Sequence, residues 1–267
     1  MSASLPTLTR SEVTRQAVQA FWLWFAFFVV NCLINATLLF ILGRDVHAWI
    51  YSQAKFSLAG LVVYGGFFLV GPLMLVKGWP VVRQLGFLIP LALAVLAAGL
   101  WSVFRGVGVV IIAVLAYLHW RYDLSELGIR SSGWRGDLLA ILMIAGFYLV
   151  SRLVRPISGA MDLNGGLQTG LDRLMANPAT SVEYLFYFGF LAARFNRRLG
   201  PLLTSIIIGL MYVAHEISNP EYWYENVQFA LVFVGVALAC GVSLWRRSII
   251  PIWLGDGLSR FLAALLL

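Results

Sequence analysis

Apolar residues run through this chain in long unbroken stretches, not in the alternation of polar and apolar positions that marks a half-buried strand. Short polar breaks delimit nine of them, at about 18–42, 56–76, 84–100, 105–120, 137–154, 181–195, 200–217, 226–244 and 249–267. Most approach the roughly 20 residues that a helix needs to cross a bilayer. The run from Leu85 to His119 is too long for one helix, and Trp101, Arg105 and Gly106 divide it in two. The 181–195 stretch is the shortest and the weakest candidate to cross alone. Continuous runs select helices over a barrel, because each helix satisfies its own backbone in hydrocarbon. The pattern predicts an all-α integral membrane protein, a polytopic bundle of eight or nine spans.

Composition strengthens that reading: 61% of the residues are hydrophobic, only 12% are charged and the mean hydropathy is +0.86. A soluble globular domain is excluded on these grounds. The net charge of +7 does not point to nucleic acid, because the basic residues are scattered between apolar runs. They fit membrane topology instead. A nine-span path with a cytoplasmic N-terminus puts twelve of them on that side: Arg10, Arg15, Lys77, Arg83, Arg121, Arg130, Arg135, Arg194, Arg197, Arg198, Arg246 and Arg247. Six fall on the other: Arg44, Lys55, Arg105, Arg152, Arg155 and Arg173. Trp101, Trp120, Trp134 and Trp245 lie near span ends, as an interfacial aromatic belt requires. The first apolar run is too long for a cleavable signal peptide and has no small-residue cleavage site. Cys32 and Cys240 lie inside apolar runs without metal-ligand spacing and read as small buried hydrophobes.

Two polar connections punctuate the chain, Arg121 to Gly136 and Arg155 to Ser181. The first divides an N-terminal set of spans, 1–120, from a C-terminal part, 121–267. The C-terminal part holds the candidate chemistry. Glu183, His215, Asp256 and Arg260 all sit within apolar stretches, where an isolated Asp or Arg costs roughly 2.5–3.5 kcal/mol. Such residues face one another inside the protein and mark a functional site by default.

The phrasing around them is distinctive. Leu-Gly-Ile-Arg at 127–130 is followed by Trp134; Glu183 opens Glu-Tyr-Leu-Phe-Tyr-Phe-Gly, ending at Gly189; His215 closes a helix ahead of Asn219 and Pro220. A basic turn at Arg246 and Arg247 leads into Ser-Ile-Ile-Pro-Ile from Ser248, then Asp256 and Arg260. From Leu127 to Phe261 the chain resembles the CPBP family, the CAAX-processing and bacteriocin-processing intramembrane proteases also called ABI. The resemblance implies a CPBP-like helical core and a site built from Glu-Glu-x-x-x-Arg-Gly, Phe-x-x-x-His and His-x-x-x-Asn. Framed on Gly189, Glu183 matches the first Glu, while Tyr184 replaces the second and Phe188 the Arg. His215 matches its motif, with Met211 at the Phe position. Asp256 stands in place of the third motif's His, and Arg260 in place of its Asn.

Two functions follow from the resemblance. In the first, the chain is an active intramembrane endopeptidase: Glu183 activates water, His215 and Asp256 hold the water or a divalent metal such as zinc, and Arg260 steadies the oxyanion. In the second it is an inactive homologue. Asp256 and Arg260, spaced i, i+4, neutralise each other, and the cation disfavours a metal dication beside it. The protein then acts by binding a membrane-protein client or a larger membrane complex. Its ten Trp and eighteen Phe suit partner-facing or lipid-facing packing. The nine-span count places the site toward the non-cytoplasmic face, whereas CAAX-processing relatives take cytosolic substrates.

Three further features have ordinary readings. Glu216 points about 100° away from His215 on a helix, toward the loop mouth. The stretch Glu221 to Glu225, three aromatics between two carboxylates, reads as an interfacial belt or, more sharply, a substrate-gating lip. Asn31 and Asn35, one turn apart, suit helix–helix hydrogen bonding, and the glycosylation pattern at Asn35 lies within a span.

Overall fold

The first helix starts well before its apolar run. Thr9 and Glu12 form a capping box: the Thr9 amide donates to Glu12 Oε2 at 2.8 Å, and the Glu12 amide donates to Thr9 Oγ1 at 3.3 Å. Donation from the Thr9 amide holds the Glu12 carboxyl below its ordinary range. Helix α1 therefore spans Arg10–Leu42. Its buried face reads Ala20, Trp24, Phe27, Asn31, Asn35 and Leu38, at steps of three and four. The opposite face exposes Val18, Phe21, Trp22, Phe25, Val29, Leu33 and Phe40. Both amides thus face inward among apolar side chains, while large apolar side chains cover the outward face, as a lipid environment demands.

The computed structural model describes residues 9–42, 59–84, 124–130, 133–154, 182–220 and 229–266. The expected spans 84–100 and 105–120, the connection from Arg155 to Ser181 and the lip at Glu221 to Glu225 lie outside these residues. Helix α2 joins a π-helical stretch, Ala59–Val70, to an α-helical one, Gly71–Lys77, and Trp79–Gln84 forms α3. A 3₁₀ turn, Ser125–Leu127, precedes α4, Trp134–Val154. Helix α5 runs from a turn at 182–184 through a π-helical Leu185–Leu191 into Ala192–Leu199. Gly200, at φ +78°, lets the chain reverse into α6, Pro201–Ile217. Helices α7, Phe229–Arg246, and α8, Ile250–Leu266, complete the fold. The described residues contain no strand. Among the described residues, three helices are long and apolar enough to cross a membrane: Arg10–Leu42, Trp134–Ser151 and Phe229–Arg246.

One hydrophobic core joins the two parts of the chain. Trp24, Phe27, Phe68 and Leu73 pack in it with Phe186, Tyr187, Phe190 and Ile208. The rings of Phe68 and Phe186 stack at 4.7 Å, and Phe27 meets Phe68 edge-on at 4.8 Å. Helix α5 lies at the centre, with all seven residues of its π-helical stretch buried. Among the described helices, α4 and α8 make the most extensive pair.

The Leu-Gly-Ile-Arg segment has a definite mechanical role. Gly128 adopts φ +78°, which an L-residue resists, and its carbonyl accepts the Ile249 amide at 2.9 Å. Arg130 Nε donates to the Arg247 carbonyl at 2.7 Å, and Ser248 Oγ donates to the Arg130 carbonyl. A Cβ added to Gly189 would overlap the Leu127 carbonyl oxygen. Leu-Gly-Ile-Arg, Gly189 and Ser-Ile-Ile are thus a single three-way backbone contact, which anchors the start of α8 to the middle of α5.

Charged residues gather at one end of the bundle. Arg197 donates to Gln16 at 2.9 Å, so the end of α5 lies beside the start of α1. Arg246, at the end of α7, pairs with Asp137 at 3.1 Å and donates to the Gly133 carbonyl at 3.1 Å, at the start of α4.

Candidate functional site

The four ionisable residues occupy two adjacent pairs rather than one convergent cluster. α5 supplies the junction, because neighbouring residues Glu183 and Tyr184 reach different partners. Glu183 Oε1 lies 3.6 Å from His215 Nδ1, with both side chains buried. That separation is an ion-pair distance, longer than a hydrogen bond. Tyr184 donates its hydroxyl to Asp256 Oδ2 at 2.7 Å, and Arg260 Nε donates to the same oxygen at 2.8 Å. Asp256 is 2% exposed, whereas the Arg260 side chain keeps 36% of its surface. One turn of α8 therefore delivers both charges and cancels them internally, as i, i+4 spacing permits.

His215 sits in an aromatic enclosure built from four helices. Phe27 of α1 meets its ring edge-on at 4.8 Å, Phe68 of α2 lies at 6.0 Å, Tyr187 of α5 lies parallel at 6.1 Å and Tyr212 of α6 at 5.9 Å. Apolar walls of this kind exclude water and strengthen charge interactions inside them. Below His215 the α6 end is pinned to α1. Asn31 Nδ2 donates to Ser218 Oγ at 2.7 Å and to Asn219 Oδ1 at 3.3 Å, and Asn35 Nδ2 donates to the Ser218 carbonyl at 2.9 Å. Ser218 Oγ in turn donates to the His215 carbonyl at 2.6 Å. The helix–helix role expected for the two asparagines is what the structure shows. Asn35 is 2% exposed, inside the protein.

Several participants escaped the sequence reading. Tyr184 counts there only as a substituted Glu, although its place beside Glu183 was the available signal. Tyr212, one turn before His215, hydrogen-bonds Glu183, and the charges of Glu216 and Arg260 also bear on that carboxylate. Glu216 thus belongs to the surroundings of Glu183, not only to the loop mouth. Helix geometry turns Glu216 about 100° from His215, yet its charge still reaches Glu183. Phe27 and Phe68 come from the N-terminal part, where no motif advertised them.

The residues do not fit a bound metal dication. Among the described residues no group of three or more His, Cys, Asp or Glu side chains is placed to hold a metal ion. Asp256 Oδ2 is already engaged by a hydroxyl and a guanidinium, and that cation opposes a second one beside it. What the arrangement can do is narrower: Glu183 and His215 can attract each other as an ion pair when the imidazole is protonated, while Asp256, Tyr184 and Arg260 form a charge-compensated strut between α5 and α8. In comparisons with known proteins, no family model, curated protein or solved structure matches the chain.

Proposed function

We propose that the chain is a multi-pass relative of the CPBP intramembrane proteases whose catalytic centre has become a salt-bridged core. In this reading it works by holding a membrane-protein client or by taking part in a larger membrane complex. The observation that carries it is the double engagement of Asp256 Oδ2 by Tyr184 and Arg260. A carboxylate so neutralised is a poor ligand and a poor base. The meeting of Leu-Gly-Ile-Arg, Gly189 and Ser-Ile-Ile supports the family resemblance, because the segments that carry it are also joined in space.

Helix directions support a nine-span path. Trp24 meets Tyr187 and Gln16 meets Arg197, so α1 and α5 are antiparallel. Leu23 lies by Gly71 and Phe27 by Phe68, so α2 also runs opposite to α1 and ends beside its start. α4 begins at that same end. An even number of crossings therefore separates Gln84 from Leu124, which is compatible with the two spans expected there from the sequence.

The active endopeptidase is the second reading, favoured by the retained Glu183–His215 pair at 3.6 Å. The test is cleavage of membrane-embedded and prenylated reporter peptides by the full chain in proteoliposomes. Wild type and Glu183→Ala are expected to show the same background rate. Turnover by wild type that Glu183→Ala abolishes would replace the binding reading with the enzymatic one.

A further inference from the structure

The charged end of the bundle carries a feature that neither reading of the Glu183–His215 pair uses. Two exposed tryptophans, Trp134 at the start of α4 and Trp245 at the end of α7, are 70% and 54% exposed. Each has an arginine over its ring: Arg135 at 5.4 Å and Arg246 at 5.1 Å from the centroid. The hydrogen bond from Arg246 to the Gly133 carbonyl ties the two helix ends together. The tryptophan–arginine pairs therefore form one unit, with Arg130 and Arg247 joined to it through the Arg247 carbonyl.

The described acids at this end have partners within the protein or act on its own arginines. Asp137 pairs with Arg246, Glu12 is held by its capping box, and the charge of Glu126 faces Arg194. Arg135 and Arg247 remain exposed, and no ion pair to either is present among the described residues.

A second observation is independent of charge. Arg247 adopts φ +50° and is the one non-glycine residue with positive φ among those described. It follows the last residue of α7, the position where helices ordinarily place glycine because a Cβ is disfavoured there. Arginine gives this turn no conformational advantage over glycine. A strained residue at a surface turn argues for use of its side chain.

We propose that Trp134, Arg135, Trp245 and Arg247 form a binding site for the phosphate headgroup of an anionic phospholipid. The indoles sit at the interfacial level, where amphipathic rings settle. The guanidinium groups present planar, forked donors that match phosphate oxygens. Anionic lipid is the occupant because the site lies at a helix end flanked by outward apolar side chains, Leu138 and Leu139 on α4 among them. This places headgroup and acyl chains in register with the basic and apolar zones respectively. The site does not depend on whether Glu183 is catalytic.

The experiment follows the thermal midpoint of the purified full chain in detergent, titrated with short-chain phosphatidylglycerol, phosphatidylcholine or inorganic phosphate. Phosphatidylglycerol is expected to raise the midpoint saturably in the wild type, and the other two are not. Arg135→Gln with Arg247→Gly is expected to weaken the apparent affinity by about 25-fold, roughly fivefold per arginine. Arg247→Gly alone is expected to weaken it about fivefold while leaving the lipid-free midpoint unchanged or higher, a combination that a purely structural role for Arg247 does not produce. An undiminished phosphatidylglycerol response in the double variant overturns the site. An equal response to phosphatidylcholine overturns its selectivity for charge, and an equal response to inorganic phosphate overturns its assignment to lipid.

Discussion

Arg260 changes what Asp256 means. Alone, a carboxylate that is 2% exposed in a membrane helix would be a strong functional signal. With a guanidinium and a phenol on the same oxygen, it becomes a neutral strut. Removing one partner of such a pair costs more than the pair itself contributes, because the survivor stays buried and charged. Asp256→Leu and Arg260→Leu are each expected to destabilise the protein by about 2–3 kcal/mol, below the usual range of about 3–5 kcal/mol because the Arg260 side chain is 36% exposed. The double variant should recover most of that loss in thermal or denaturant unfolding. Additive losses would mean that the two charges are not coupled and that Asp256 has a separate task. All four ionisable residues were legible in the sequence, because ionisable groups are conspicuous in apolar runs. Tyr184 was not: a tyrosine in Glu-Tyr-Leu-Phe-Tyr-Phe looks like one more ring, and only its hydrogen bond to Asp256 on α8 reveals its hydroxyl as the one that matters.

At the scale of elements, hydrophobic runs located the helices well and their ends less well. The expected 200–217 and 249–267 agree closely with Pro201–Ile217 and Ile250–Leu266. α1 begins earlier than its apolar run because a capping box extends it through Arg10 and Arg15, and α5 continues into the basic turn that closes it. The π-helical stretches in α2 and α5 were not legible, since an apolar run in which every position is apolar carries no period. Nor did spacing disclose the contact that positions α8. Gly189 was used only to set a motif frame, yet it is where the Leu127 backbone touches α5. Gly189→Ala drives a methyl group into a carbonyl oxygen that has no rotamer with which to yield. It is expected to cost about 1–3 kcal/mol in thermal unfolding. Gly146→Ala, where an added Cβ meets nothing within 4 Å, should be neutral or mildly stabilising.

For the whole molecule, the proposed topology makes a statement about charge that helix directions bear on. Arg10, Arg15, Lys77, Arg135, Arg197, Arg198, Arg246 and Arg247 were assigned to one side by counting alone. The helix directions gather the same residues at one end. Single cysteines replacing Arg15, Arg198 and Arg247, in a background without Cys32 and Cys240, should all react with an impermeant maleimide from the cytoplasmic face. A cysteine replacing Leu42 should react only from the opposite face. Labelling of Arg15→Cys and Arg247→Cys from different sides would break the nine-span path. The division of the chain at residue 120 was drawn from polarity, and polarity does not report which spans share a core. Phe27 and Phe68 reach across that division to enclose His215.

The inward amides of α1 also impose an order of events during synthesis. Asn31 and Asn35 find their acceptors at Ser218 and Asn219, and the Asn31–Asn219 bond closes a separation of 188 residues. At cellular elongation speeds that is a wait of roughly 10–40 s, during which the side-chain amides of α1 have no native partner. A nascent chain stopped before α6 would hold its most polar face toward lipid or toward whatever insertion factor shields it. The end of α6 is thus what satisfies the inward amides of α1, and the pair becomes self-sufficient only once α6 has been made.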